Sequence, residues 1–313
     1  MNVEGNRTLI TDFILAGFTT DPFLRIIFFL LFLVSYTITL VGNLGLLGLI
    51  YLDVRLHTPM YFFVGSLSFL DVWYSSVYTP QILSDCMSMN NHMTLAGCTA
   101  QFFFSAGLAY TECFLLAFMA YDLFVAICNP LLYATAMPKK LCVQLVVGAY
   151  AAGFANAIAR TSNTFRLRFC GNNVTNHYFC DVTPLVKMAC DDIGIYDLIV
   201  SSMMGCSLLA TTAVILRSYI AIVATMVRIH SATERRKAFF TCSAHLVSVT
   251  LFYGYILIMY SRPNSQHTPS SDKANALFYT VVNPLVNPFI YSLRNKDVKA
   301  AFEKVWGRFI SST

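Results

Sequence analysis

Residues Phe118–Tyr133 read FMAYDLFVAICNPLLY and close a long apolar run that begins near Cys98. Between Cys98 and Cys128 the only charged side chains are Glu112 and Asp122. As a helix this run is about 46 Å long, against a bilayer hydrocarbon core of about 30 Å. Such a helix tilts or projects beyond the membrane. A tilted helix through the middle of a bundle touches most of its neighbours, so both its ends can report on one cavity. Leu123 and Phe124 follow Asp122 directly, leaving that carboxylate without an adjacent cation.

The rest of the chain has the same character. It has 313 residues, 57% hydrophobic and 12% charged, with a mean hydropathy of +0.61. A soluble domain carries about 25% charged residues, so the composition is that of a membrane protein. Seven apolar segments reach spanning length: 24–51, 60–83, 98–128, 141–159, 196–227, 238–260 and 274–293. They predict an all-α membrane protein, a seven-transmembrane-helix bundle formed as a single domain over 1–313, with tails at 1–23 and 294–313. The apolar run Phe23–Leu52 exceeds the core of a cleaved signal peptide and reads as a first spanning helix that also directs insertion. In the trailing segment Val298, Phe302, Val305 and Phe309 share one helical stripe, which predicts a short amphipathic C-terminal helix on the membrane surface.

Basic residues orient the bundle. With the amino terminus outside, the inner side receives Arg55, Lys139, Lys140, Arg228, Arg235, Arg236, Lys237, Arg294, Lys296, Lys299, Lys304 and Arg308. The outer side receives Arg7, Arg25, Arg160, Arg166, Arg168, Lys187, Arg262 and Lys273. The larger inner group favours an extracellular amino terminus and a cytoplasmic carboxyl terminus. Two N-glycosylation sequons agree, at Asn6 in the leading tail and at Asn173 in the long loop after the fourth segment.

Other function classes find little support. The net charge of +5 is modest, and no basic run interleaved with aromatics points to nucleic acid. HExxH, GxSxG, phosphate-cradling and dinucleotide motifs are absent, which argues against an enzyme. A transporter or channel predicts inverted repeats and broken midplane helices, and the sequence has no such repeat. Cys98 heads the third segment while Cys170, Cys180 and Cys190 cluster in the long loop. Four cysteines allow three pairings, and their spacing is poor for zinc. Asp71, Glu112 and Asp122 lie in or at the end of apolar spans, where a carboxylate costs about 2.5–3.5 kcal/mol to insert. Their retention points to interior placement with a partner, either around a cation or shared proton or within a hydrogen-bonded polar core.

Several stretches resemble vertebrate odorant receptors, a branch of the rhodopsin-like G-protein-coupled receptors. They are MAYD…VAICNPLLY at the third segment, LHTPMYFFVGSLSFLD at Leu56–Asp71, KAFFTCSAHL at Lys237–Leu246 and SLRNKDVKAA at Ser292–Ala301. Together they extend over nearly the whole chain. The resemblance implies bridges Cys98–Cys180 and Cys170–Cys190, and a sodium site at Asp71 and Glu112 beside Asn43 and Asn287; no other cofactor is implied. It carries over a ligand pocket of Ser105, Ala106, Ala109 and Tyr110, of Met203, Met204 and Ser207, of Tyr253, Ile256, Leu257 and Tyr260, and of Phe278. Such a set suits a small, mainly apolar volatile odorant. The implied partners are a heterotrimeric G protein of the stimulatory olfactory type, which raises cyclic AMP, and membrane lipid, with the receptor at the plasma membrane. At the coupling site, Asp122 and Leu123, the family has an arginine where this chain has Leu123. Leucine has no donors, so the resemblance also implies a receptor that binds ligand while coupling weakly or not at all.

Overall fold

A computed structural model describes residues 12–19, 21–88, 92–169, 173–175, 177–191, 193–261, 269–293 and 296–312. Helix α1 (Pro22–Leu52) starts at Asp21, whose Oδ1 accepts from the Phe23 and Leu24 amides at 2.8 and 3.1 Å. Those amides have no partner within the helix, so the cap fixes its start. Proline at the first position begins α2 (Pro59–Met87). Thr94 caps α3 (Leu95–Cys128) by accepting from the Gly97 amide at 3.1 Å. There follow α4 (Lys139–Phe165), α5 (Gly194–Arg228) and α6 (Ala232–Ser261).

The seventh helix, α7, joins Pro269–Leu277, a π turn at Phe278–Val282, and Asn283–Leu293. Asn283-Pro284 follows the π turn directly. Proline donates no backbone hydrogen bond and its ring displaces the carbonyl one turn earlier, which the wider π turn accommodates. Helix α8 (Lys296–Ser312) turns off α7 at 87° and lies across the bundle end. Helices α1 and α3–α6 are each apolar enough to span a membrane. Helix α2 has the length, and its apolar character is diluted by Asp71, Asp85 and several hydroxyls.

All seven expected spans are helices, each longer at one end or both than hydropathy alone marks. Hydropathy registers the hydrocarbon layer, whereas α6 begins in the polar stretch Ala232–Lys237, outside that layer. Helix α3 is the centre of the bundle: 61% of its apolar window is buried, against 11% for α1. Its tightest crossing is with α4. A Cβ placed on Gly153 would stand 2.7 Å from the Gly107 carbonyl oxygen and 2.9 Å from the Thr111 amide nitrogen. Only glycine allows these backbones to approach so closely.

At the end of the bundle that holds the disulfide, part of the expected 1–23 tail forms a strand. β1 (Asp12–Leu15) pairs antiparallel with β2 (His92–Thr94) and parallel with β3 (Val174–Thr175). Phe13 and Leu15 are fully buried there against Met93, Cys98, Phe102 and Cys180. Lys273 Nζ donates to the Gly17 carbonyl at 2.6 Å, tying this cap to the start of α7. At the opposite end Asp53 accepts from the Arg55 side chain at 2.7 Å and from Lys304 of α8 at 3.4 Å. The Arg55 hydrogen bonds hold the Asp53 carboxyl well below the usual carboxylate range. Val298 and Ala301 of α8 are buried on the bundle, while Phe302 is exposed.

Candidate functional site

The disulfide Cys98–Cys180 fixes the long loop to the head of α3. Gln101 reinforces it: its Oε1 accepts from the Cys180 amide at 3.0 Å, and its Nε2 donates to the Val77 carbonyl at 3.2 Å. These ties hold Phe179 between the helices, its ring centroid 4.7 Å from Tyr78 and 6.3 Å from Tyr279. Tyr279 in turn lies 4.7 Å from Tyr255 and 6.4 Å from Tyr74. An aromatic roof therefore joins α2, α6 and α7 to the long loop. Its members come from four separate parts of the chain, and no local period in the sequence links them.

The expected ligand positions divide by orientation. On α3, Ser105, Ala106 and Tyr110 are buried and Ala109 is half-buried against the core. The Ser105 hydroxyl donates to the Phe102 carbonyl at 2.9 Å, which occupies its proton. Met203, Met204 and Ser207 are half-buried on α5. On α6, Tyr253 and Ile256 pack against the core, and Tyr253 donates to Thr211 Oγ1 of α5 at 2.8 Å. Leu257 and Phe278 are instead 68% and 57% exposed, on the outer faces of their helices. The Tyr260 side chain lies outside the described residues.

One helical turn or more below sits a buried polar core. Asp71 is fully buried and its Oδ2 accepts from Asn287 Nδ2 at 2.9 Å. Glu112, 4% exposed, accepts through Oε1 from Asn283 Nδ2 at 2.6 Å. Asn283 and Asn287 are four residues apart, so they present both amides on one face of α7. Ser248 of α6 donates to Asn287 Oδ1 at 3.2 Å, and Asn43 of α1 donates to the Pro284 carbonyl at 3.0 Å. Five helices thus meet at the two carboxylates. Asp71 Oδ1, Asn43 Oδ1 and Asn283 Oδ1 are buried with no hydrogen-bond partner among the described residues. The role of Asn283 was not legible in the sequence, because its partner Glu112 lies 171 residues away on another helix.

His245 links this core to the far end. It is fully buried on α6, with Nε2 2.9 Å from the Leu116 carbonyl and Nδ1 2.7 Å from the Tyr219 hydroxyl. A carbonyl only accepts, so Nε2 carries the proton and Nδ1 accepts from Tyr219. Helices α3, α5 and α6 are joined through one imidazole. Beyond it, Leu123 is 1% exposed and packs in an apolar cluster with Ile222 of α5 and Cys242 of α6. Asp122, equally buried, accepts from the Tyr133 hydroxyl at 2.9 Å. Arg228 and Arg235 are both exposed, and neither is ion-paired with Asp122 among the described residues. The carboxylate's neighbour is thus a phenol on the segment after α3. Sequence reasoning missed it because a helix end separates the two positions.

The remaining expected modifications lie at the disulfide end. Cys190 is disulfide-bonded, while Cys170 and Asn6 fall outside the described residues. Asn173 Nδ2 donates to the Asp12 carbonyl at 3.0 Å beside the β1–β3 pairing.

A family model described as olfactory receptor matches residues 32–308. Olfactory receptor 9G4 of Homo sapiens is 57% identical over 300 residues, covering 96% of this chain and 92% of that protein. Olfactory receptor 9G19 of Mus musculus is 52% identical over 303 residues, covering 97% and 99%. Among solved structures, squid rhodopsin superposes with a TM-score of 0.72 at 16% identity, over 95% of this chain and 84% of that one. That last likeness concerns the fold alone.

Proposed function

The chain belongs to the olfactory receptor family, and from that premise we propose that it senses a small, mainly apolar odorant at the plasma membrane. It is a multi-pass receptor and not an enzyme. In the proposed orientation the amino terminus and the disulfide end face outward, and α8 lies on the cytoplasmic surface. The ligand occupies the space under the aromatic roof, against Ala106, Ala109 and Tyr110 of α3 and Tyr253 and Ile256 of α6. The observation that supports this reading is a loop pinned to the head of α3 by Cys98–Cys180, over helix faces that carry mostly apolar side chains with a few hydroxyls. Side chains of that kind suit a small volatile molecule held by one or two polar contacts. Displacement of Tyr253 on ligand binding disturbs its bond to Thr211 and so shifts α6 against α5. The imidazole of His245 passes that shift to α3.

The proposed output is nucleotide exchange on a stimulatory olfactory-type G protein, with cyclic AMP rising. The test is a cyclic-AMP response to an odorant panel in cells that display the receptor. A response to at least one odorant is expected; silence across a broad panel, at confirmed display, overturns the reading. The apolar packing of Leu123 supports a second reading, in which ligand binding is intact and coupling is weak. An arginine at this position offers charged donors to Asp122 or to a partner. Leucine offers neither and adds contact that holds α3, α5 and α6 together.

We propose further that Asp71 and Glu112 share a sodium ion or a proton. Two buried carboxylates that have no ion pair among the described residues are costly unless neutralised. The free oxygens of Asp71, Asn43 and Asn283 are hard donors that suit a small alkali cation. A bound ion would hold α2, α3 and α7 in one arrangement, and its loss would free α7 to move.

A further inference from the structure

Arg160, in the last two turns of α4, carries its charge against α3. Its guanidinium carbon stands 5.4 Å from the centroid of the buried Phe102 ring. Phe102 is itself braced by an edge contact with Phe165 at 5.7 Å. The same guanidinium acts on the Tyr110 hydroxyl. Phe102, Ala106 and Tyr110 stand four residues apart and share one face of α3. The cation thus reaches both ends of that stripe, with the short side chain of Ala106 between them. Ala106 and Tyr110 are two of the positions against which the ligand is placed above.

The protein does little to answer this charge. Arg160 Nε is enclosed with no hydrogen-bond partner among the described residues, and none of their carboxylates is ion-paired with Arg160. Asp181 and Arg160 both act on the Tyr78 hydroxyl, yet Asp181 Oδ1 accepts from the Val182 amide at 2.8 Å instead. Nearby hydroxyls are committed to one another. Thr164 donates to the Arg160 carbonyl at 2.9 Å, which leaves Tyr196 as the donor in its 3.0 Å contact with Thr164 Oγ1. Ser105 spends its proton on the Phe102 carbonyl. A cation drawn partly out of water with few acceptors is unfavourable, and the face of one phenylalanine offsets only part of that cost.

A half-buried cation beside a mostly apolar helix face complements an anion that carries an apolar chain. Guanidinium presents paired N–H donors that match the two oxygens of a carboxylate. A ketone, ester or alcohol accepts hydrogen bonds from the same group and leaves its charge unbalanced. Aliphatic carboxylic acids titrate at about 4–5, so at neutral pH they arrive as the anion. We propose that the ligand site is selective for aliphatic carboxylates, the carboxylate held by Arg160 and the Tyr110 hydroxyl and the chain laid along Ala106 and Ala109. This assignment rests on the reading that an odorant binds beside α3, and it adds a charged head to the apolar molecule expected there.

The test is melting of the full-length receptor in phosphatidylcholine nanodiscs at neutral pH, a readout of binding that does not require coupling. The probes are octanoate, octanamide and octanol, which share one chain and differ in the head group. Octanoate should stabilise the receptor at concentrations roughly 10- to 150-fold below those the neutral pair needs, the weight of a hydrogen bond to a charged group. Arg160→Gln should remove that advantage and leave the response to octanol unchanged. Arg160→Lys keeps the charge without the planar fork and should retain part of it. Equal or better stabilisation by octanamide or octanol overturns the proposal. So does an octanoate advantage that survives in Arg160→Gln, which would mark an effect of the anion on the bilayer. If Arg160→Gln does not fold, the comparison of head groups in the natural receptor and in Arg160→Lys decides. Stabilisation by neutral odorants alone defeats this proposal and leaves odorant binding standing. A broad panel of acids and neutral odorants that stabilises nothing defeats both.

Discussion

Replacing Leu123 by arginine tests the packing at the α8 end of the bundle. Leu123 is almost completely buried between α3, α5 and α6, with Ile222 and Cys242 as its enclosed neighbours. Burial of one leucine side chain stabilises by about 1.5–3 kcal/mol, and this contact exists only while α6 lies against α3. Arginine forfeits it and places a guanidinium in an apolar cluster, so the closed arrangement loses about 2–3 kcal/mol relative to one with α6 swung out. That corresponds to roughly a 30- to 150-fold shift in the equilibrium between the two. Leu123→Ala removes most of the packing without adding donors and separates the two contributions. The assay is basal and odorant-driven cyclic AMP at matched surface display, with odorant affinity measured in parallel. Leu123→Ala should raise the basal signal, and Leu123→Arg should raise the odorant-driven maximum as well. If the natural receptor already signals fully and neither variant changes it at equal display and affinity, the reasoning is refuted.

Three further outcomes follow from the polar and packing sites. Glu112→Gln retains an acceptor for Asn283 and removes the charge, so the sodium or pH dependence of receptor melting seen in the natural protein should vanish; an unchanged dependence would leave a plain hydrogen-bond network. Gly153→Ala places a methyl against the Gly107 carbonyl and the Thr111 amide and should destabilise by about 1–3 kcal/mol, read as a lower melting temperature and reduced surface display. Asp53 is held ionised by Arg55, so its contribution is present above its unfolded value of about 3.9 and is lost as pH falls through the lower folded value. Melting of the natural protein and Asp53→Asn should therefore differ by a constant amount from pH 7 to about 5 and converge below about pH 4; a gap that widens on acidification would contradict the assignment.

The fold was legible because its determinants are local. Spanning length and the amphipathic stripe through Val298 each lie within one segment of sequence. The Cys98–Cys180 bridge was legible only through resemblance, since spacing left three pairings open. What the sequence withheld depends on contacts across long separations. Glu112 meets Asn283, and Asp71 meets Asn287, across most of the chain. Asp122 meets Tyr133 across a helix end, although both residues stand in the stretch that first identified the family. Leu257 and Phe278 stand on exposed faces of their helices, Phe278 at the start of the π turn, and residue type at a matched position does not by itself fix which face a side chain takes. The segment before α1 lacks a strong strand pattern of its own, and its pairing depends on partners supplied by two loops.

Whether odorant binds beside α3 and drives the receptor, as proposed above, is decided by a substitution at Ala109. This residue is half-buried and packs against the core, and phenylalanine would project a ring into the space proposed for the ligand. The measurement is odorant-dependent cyclic AMP from the natural receptor and from Ala109→Phe in cells with equal surface display. The account predicts a concentration-dependent response in the natural receptor that the phenylalanine variant loses. An Ala109→Phe receptor that responds with the same potency and maximum would contradict it.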